Sequence, residues 1–140
     1  MVTKTRTAVY DFNYHLVFVT KYRQPIFTTD VLKQDMKQIL SDIADDNDII
    51  IQEIEIMDDH VHMLISFPPK LSASIVVKTL KGGGARRWFK EHPKTQTLLW
   101  GGKLWSPSFF MSTLGNMSKD IVANYIQNQI TEYNAGRPRQ

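Results

Sequence analysis

Residues 57–67 read Met57-Asp58-Asp59-His60-Val61-His62-Met63-Leu64-Ile65-Ser66-Phe67, and the reading of this stretch decides the fold. Side chains alternate along a strand, so Val61, Met63, Ile65 and Phe67 share one face. All four are apolar, which assigns that face to a helical layer. His60, His62, Leu64 and Ser66 share the opposite face. At a rise of about 3.3 Å per residue the two histidine Cα atoms stand about 6.5–7 Å apart, close enough for both rings to converge on one metal ion. The bland alternative is a pair of partly exposed polar residues on a solvated sheet face. In a chain with four histidines such a pair arises by chance roughly once in ten chains, so it identifies nothing alone.

Outward from this strand, Pro68-Pro69 ends it, because proline cannot donate to a sheet ladder. Asp58-Asp59 is a short break, and Ile49 to Met57 is strand-like before it. Tyr14 to Thr20 is rich in aromatic and β-branched residues and reads as a first strand. From Asp30, Leu32, Met36, Ile39, Leu40 and Ile43 recur at helical spacing until Asp45-Asp46-Asn47-Asp48 closes the helix. Ser72 to about Lys90 also reads as helix, with a break or kink expected at Gly82-Gly83-Gly84. Trp105 to Thr113 is the expected fourth strand, with Pro107 near its start. Asn116 or Ser118 can cap a last helix that runs through Gln129 and beyond. The order β-α-β-β-α-β-α predicts an α+β, ferredoxin-like or RRM-like fold. Its four-stranded antiparallel sheet has two helices on one face, and the C-terminal helix reaches the open face.

The chain has 140 residues, 42% hydrophobic and 22% charged. This suits one domain, residues 1–140, with a real core, and excludes a disordered tail or a collagen-like fibre. Cysteine is absent, so disulfide frameworks, thiolate metal sites and cysteine nucleophiles are excluded. No apolar run resembles a signal peptide or a membrane span, and the expected location is the cytoplasm. The net charge of +3 is unevenly distributed: residues 28–59 sum to −8 and residues 60–105 to +7. A basic surface of this kind can face a polyanion, though two solvated helices of opposite sign would give the same count.

In the last helix Ile121, Val122, Ile126 and Ile130 form an apolar stripe, and Tyr125 and Gln129, four apart, lie one above the other. Alone, Tyr125 reads as an amphipathic edge residue. Beside the histidines it gains a chemical meaning. Two neutral imidazoles and an amide oxygen would hold a divalent cation without cancelling its charge. Such an ion could polarise a phosphodiester and stabilise a departing 3′-oxygen. A phenol one turn from the third ligand would be placed for in-line attack, giving a covalent phosphotyrosine.

These residues carry a resemblance. His60-Val61-His62 resembles the His-hydrophobic-His signature of the HUH nucleases, and the chain is similar to the small single-tyrosine transposases of the TnpA type. The similarity extends from Tyr14-His15-Leu16-Val17-Phe18 and Lys21-Tyr22-Arg23 through Leu80-Lys81-Gly82, Ala85-Arg86, Leu99-Trp100-Gly101-Gly102 and Leu104-Trp105-Ser106-Pro107-Ser108 to Tyr125-Ile126-Gln127-Asn128-Gln129. It implies cleavage and rejoining of single-stranded DNA at hairpin-bearing insertion-sequence ends, without a nucleotide cofactor. It assigns Tyr125 as nucleophile and His60, His62 and Gln129 as ligands of Mg2+ or Mn2+. It also implies a 5′-phosphotyrosine, a homodimer, and docking of the Tyr125 helix on the partner's sheet. Two positions depart from the family pattern: Asp58, where many relatives have proline, and Gly84, where serine often stands.

Lys78, Lys81, Arg86, Arg87, Lys90 and Lys94 surround the second helix and are the candidate DNA-phosphate contacts. Trp88, Phe89, Trp100 and Trp105 could stack on unpaired bases, with core packing expected for at least half of them. Two alternatives stand beside the transposase. One is a non-catalytic single-stranded nucleic-acid-binding module, which would need aromatic residues where His60 and His62 project. The other is a domesticated HUH nuclease acting on repeated hairpins with the same residues.

Overall fold

A computed structural model describes residues 3–4, 9–10, 13–113 and 123–128. Its elements are β1 (Thr3–Lys4), β2 (Val9–Tyr10), β3 (Tyr14–Val19), α1 (Asp30–Asp46), β4 (Ile50–Met57), β5 (His60–Ser66), α2 (Ala73–Glu91) and β6 (Phe110–Thr113). β1 and β2 form a small antiparallel pair, while the main sheet has the order β4-β5-β3-β6. All of its neighbours are antiparallel. With α1 and α2 as the helical layer this is the expected α+β architecture. Among the described residues no helix is long and apolar enough to cross a membrane.

The alternation read in β5 is the alternation observed. Val61, Met63 and Ile65 are completely buried and Phe67 nearly so. They pack with Leu16 and Phe18 of β3, with Met36, Leu40 and Ile43 of α1, and with Leu80 and Trp88 of α2. Each fully buried aliphatic side chain contributes about 1.5–3 kcal/mol of transfer free energy. The helices begin where side chains satisfy their first amides: Thr29 accepts from Leu32 N and Ser72 from Ile75 N, each at 3.2 Å. Asp58-Asp59 forms a two-residue hairpin turn between β4 and β5, and its carbonyls anchor the chain around it. Asp58 O accepts from Ile26 N and Phe27 N, and Asp59 O from Thr20 N, all at 2.9 Å.

Two expectations need correction. The glycine run does not interrupt α2, which is continuous from Ala73 to Glu91. Its glycines serve close helix packing instead. A Cβ on Gly83 would lie 2.9 Å from Ile43 Cδ1, and one on Gly84 would lie 3.2 Å from Leu40 Cδ2, so their absence lets α1 approach. Gly82 differs, since a Cβ there meets nothing within 4 Å. The fourth strand also starts later than Trp105. Trp105 forms an isolated bridge with Thr20, and Ser106 N donates to Val19 O. Pro107 then has no amide proton to continue the ladder, and regular pairing resumes at Phe110.

The candidate aromatics divide as their size dictates. Trp88 and Trp105 are core residues, Phe89 is half-buried, and Trp100 is exposed. Denaturant titration should separate the three glycines. Gly83→Val and Gly84→Val should each lose about 1–3 kcal/mol by overpacking. Gly82→Ala should gain up to about 1 kcal/mol, because alanine is the better helix former and the site is open.

Candidate active site

β5 presents His60 and His62 on the sheet face away from the helices, both half-buried. Register places Val17 of β3 and Glu55 of β4 on either side of His62, and Val19 and Met57 on either side of His60. A third imidazole joins them. His15 of β3 lies on the same face, with Nδ1 3.1 Å from His62 Nε2 and ring centroids 5.3 Å apart. Strand alternation from Tyr14 would have grouped His15 with Val17 and Val19. Its partnership with His62 needs the pairing register, which the sequence does not state.

Each candidate ligand is prepared differently. Asp59 Oδ1 accepts from His60 Nδ1 at 2.7 Å, and Arg23 Nε donates to Asp59 Oδ2 at 2.8 Å. Burial opposes ionisation of Asp59, but the hydrogen bonds from His60 and Arg23 outweigh it and hold the carboxyl below its ordinary range. An ionised Asp59 only accepts, so His60 donates from Nδ1, which leaves Nε2 as the ring nitrogen that would face a metal. Burial, reinforced by the neighbouring His15, lowers the His62 pKa and favours its neutral, ligand-competent form. The donor set of His60 and His62 therefore fits a divalent cation. Among the described residues Asp35, Glu91 and His92 form a separate group of possible ligands in the helical layer. There Asp35 Oδ2 and His92 Nε2 already pair at 2.9 Å.

The Arg23 end of this chain of contacts is unusual in its backbone. Tyr22 and Arg23 have φ of 61° and 50°, left-handed values that cost a side-chain-bearing residue roughly 1–2 kcal/mol each. The turn is held by Arg23 N donating to Thr20 O and by the Arg23–Asp59 ion pair.

Tyr125 lies in the helical residues 123–128. Its hydroxyl is 3.2 Å from Ser108 Oγ, and its ring centroid is 5.8 Å from that of Phe110. Phe110 is opposite Val17, which is opposite His62, so Phe110 and His62 share the open face. Two strand spacings, about 10 Å, separate their backbones. The C-terminal helix thus meets the open face at its β6 side. Gln129, the expected third ligand, lies outside the described residues, as do the expected start of that helix at Asn116 or Ser118 and its continuation past residue 128.

Of the six basic candidates, Lys78, Arg86, Arg87, Lys90 and Lys94 are exposed. Arg87 Nη2 is 3.7 Å from Asp46 Oδ2 of α1. Lys81 has a different setting: it donates to Ser106 O at 2.6 Å and Ser108 O at 3.0 Å. Burial draws its amine down to about 8. Lys81 therefore braces the segment that touches Tyr125.

The profile of the family described as "Transposase IS200 like" matches residues 8–129. The chain belongs to the IS200-like transposase family. It is 39% identical over 126 residues to the ISDra2 transposase TnpA of Deinococcus radiodurans, covering 90% of this chain and 89% of that protein. It is 28% identical over 123 residues to the transposase of insertion sequence element IS200 from Salmonella typhimurium, covering 88% and 80%. The crystal structure of a candidate transposase from Deinococcus radiodurans superposes with a TM-score of 0.82 at 38% identity, covering 91% of this chain and 97% of that one. A REP-associated tyrosine transposase bound to a REP hairpin shares the fold, with a TM-score of 0.54 at 15% identity over 95% of this chain and 76% of that one. Like its relatives, this IS200-like transposase is a DNA-processing enzyme.

Asp59 gives the transposase an acid-sensitive link. Its folded pKa is depressed, so its contribution is full above about pH 4 and is lost as pH falls from there through the lowered folded value. Urea titrations of wild type and Asp59→Asn should differ most at neutral pH, by about 1–3 kcal/mol, and converge toward pH 3. A constant difference across that range would remove the charge from the explanation.

Proposed function

We propose that this IS200-like transposase cuts and rejoins single-stranded DNA at hairpin-bearing insertion-sequence ends through a covalent bond to Tyr125. The observation that carries the reading is the shared sheet face: the Tyr125 ring packs on Phe110, and His62 lies on the same face two strands away. The hairpin enters from the related REP-associated enzyme, which was solved with one bound. The domain acts as one unit, residues 1–140, in the cytoplasm and as a homodimer. The family resemblance implies docking of the Tyr125 helix on the partner's sheet, whereas within the single chain the helix meets its own sheet at Ser108 and Phe110.

In this reaction the Tyr125 oxygen forms a bond to the phosphorus of the scissile phosphodiester while the bond to the 3′-oxygen breaks. The phenolic proton leaves toward solvent past the Ser108 hydroxyl, and the departing 3′-oxygen collects a proton. The product is a 5′-phosphotyrosine whose bond energy is conserved for rejoining. When held by His60, His62 and Gln129, Mg2+ or Mn2+ supplies charge stabilisation for the phosphate and the departing oxygen. Asp59 and Arg23 fix the His60 ring, and Lys81 fixes the Ser106–Ser108 segment beside the nucleophile. Lys78, Arg86, Arg87, Lys90 and Lys94 supply phosphate contacts whose strength falls with salt. A non-catalytic binding module would need stacking aromatics at the imidazole positions, and β5 presents none there.

The test combines protein, a labelled library of hairpin-bearing single strands and Mn2+, resolved on a denaturing gel. Wild type should form a covalent species that Tyr125→Phe abolishes while DNA binding persists. An adduct in the Tyr125→Phe protein would remove Tyr125 as nucleophile. His60→Ala with His62→Ala should lower cleavage by about a hundredfold or more, with binding nearly unchanged. Equal losses in cleavage and binding would instead assign the imidazoles to folding or DNA contact.

A further inference from the structure

A cavity of about 460 Å³ lies outside the imidazole face, between α2 and the segment 102–107. Its volume is within the range of small-ligand sites. Lys21, Arg86 and Lys103 line it, and no carboxylate does. None of these three cations has an ion-pair partner among the described residues. Lys81 also lines the cavity, but its ammonium is engaged by the carbonyls of Ser106 and Ser108. The apolar lining comes from Phe89, Leu104 and Trp105. The lining therefore combines apolar and aromatic side chains with an excess of cations.

Gly82 gives an independent indication. Gly83 and Gly84 are explained by the approach of Ile43 and Leu40, but nothing in the protein lies within 4 Å of a Cβ on Gly82. A glycine inside a helix is unfavourable unless something needs the space or the backbone. Gly82 lines this cavity, so the space left by its missing side chain opens into it. Next to Lys21 in the chain, the Tyr22 ring stands 5.9 Å from the exposed Trp100.

We propose that this cavity binds one unpaired nucleotide of the single-stranded DNA substrate, its base against Phe89, Leu104 and Trp105 and its phosphate among Lys21, Arg86 and Lys103. The proposal rests on the transposase reading above and adds a second DNA site to it, lined by Lys81 rather than by Tyr125 or the imidazoles. A planar base suits the apolar lining, and the excess of unpaired cations suits a polyanion. Gly82 lets the nucleotide reach the helix backbone.

The probe is a short, unstructured, labelled single strand carrying 5-iodo-deoxyuridine, with binding read by fluorescence anisotropy and ultraviolet crosslinks mapped by mass spectrometry. Gly82→Leu fills the cavity from an open position. It should weaken binding about tenfold or more without lowering the melting temperature. Arg86→Gln with Lys103→Gln should weaken binding and flatten its salt dependence, by roughly one in log–log slope for each phosphate contact removed. Wild-type crosslinks should fall on Phe89 or Trp105. Unchanged affinity in a folded Gly82→Leu protein, with crosslinks elsewhere, overturns the proposal while leaving the Tyr125 adduct assay untouched. If Gly82→Leu is unstable, the charge variant and the crosslink position decide. A loss of self-association in Gly82→Leu with DNA binding intact would assign the cavity to a second copy of the chain and also overturn it. A wild type that binds and crosslinks in the cavity yet never forms the Tyr125 adduct would sink the catalytic reading alone.

Discussion

The register between β3 and β5 is the constraint on which the rest of the site depends. Pairing Val17 with His62 and Leu16 with Met63 puts His15, His60 and His62 on one face and Leu16, Phe18, Val61, Met63 and Ile65 on the other. A slip of one residue would turn the β3 side chains over, exposing Leu16 and Phe18 and moving His15 into the core. The buried face forbids that slip, since Leu16, Phe18, Val61, Met63 and Ile65 are all completely buried. Packing on the helical side therefore fixes the chemistry on the opposite side.

Two braces transfer that order to groups outside the strands. Asp59 joins the left-handed turn at Tyr22 and Arg23 to the His60 ring. Lys81 joins α2 to the segment that touches Tyr125, and Trp105 Nε1 returns the contact by donating to Lys81 O at 3.0 Å. Both braces use a charged group, partly withdrawn from water and surrounded by acceptors or donors. Hydrogen bonds to such groups are about twice as strong as neutral ones. Tyr125 and the imidazoles are thus each held from a different layer of the fold.

The layout of the main sheet and its two helices was legible because period and burial coincide in β5 and α1. The apolar face Val61-Met63-Ile65 and the helical recurrence of Met36, Ile39, Leu40 and Ile43 are both core in the structure. What could not be read depended on a distant partner. The glycine run looked like a break because its reason, the side chains of Ile43 and Leu40, lies on another helix. β6 looked longer because Pro107 interrupts pairing that Trp105 begins. His15 was invisible as a neighbour of His62 without the register, and the hydrogen bonds from Lys81 to Ser106 O and Ser108 O join residues too far apart in the chain to leave a local pattern. The pair β1 and β2, two residues each, is too short to leave a period.

The three indoles sit in three different surroundings. Trp88 is sealed in the core with its N–H on Thr95 Oγ1, Trp105 is almost sealed and lines the cavity, and Trp100 stands half in water beside Tyr22. The chain accordingly carries its own optical gauge. The exposed Trp100 should emit at longer wavelength and be open to quenching by whatever settles near it, while the buried Trp88 should serve as an internal reference shielded from solutes.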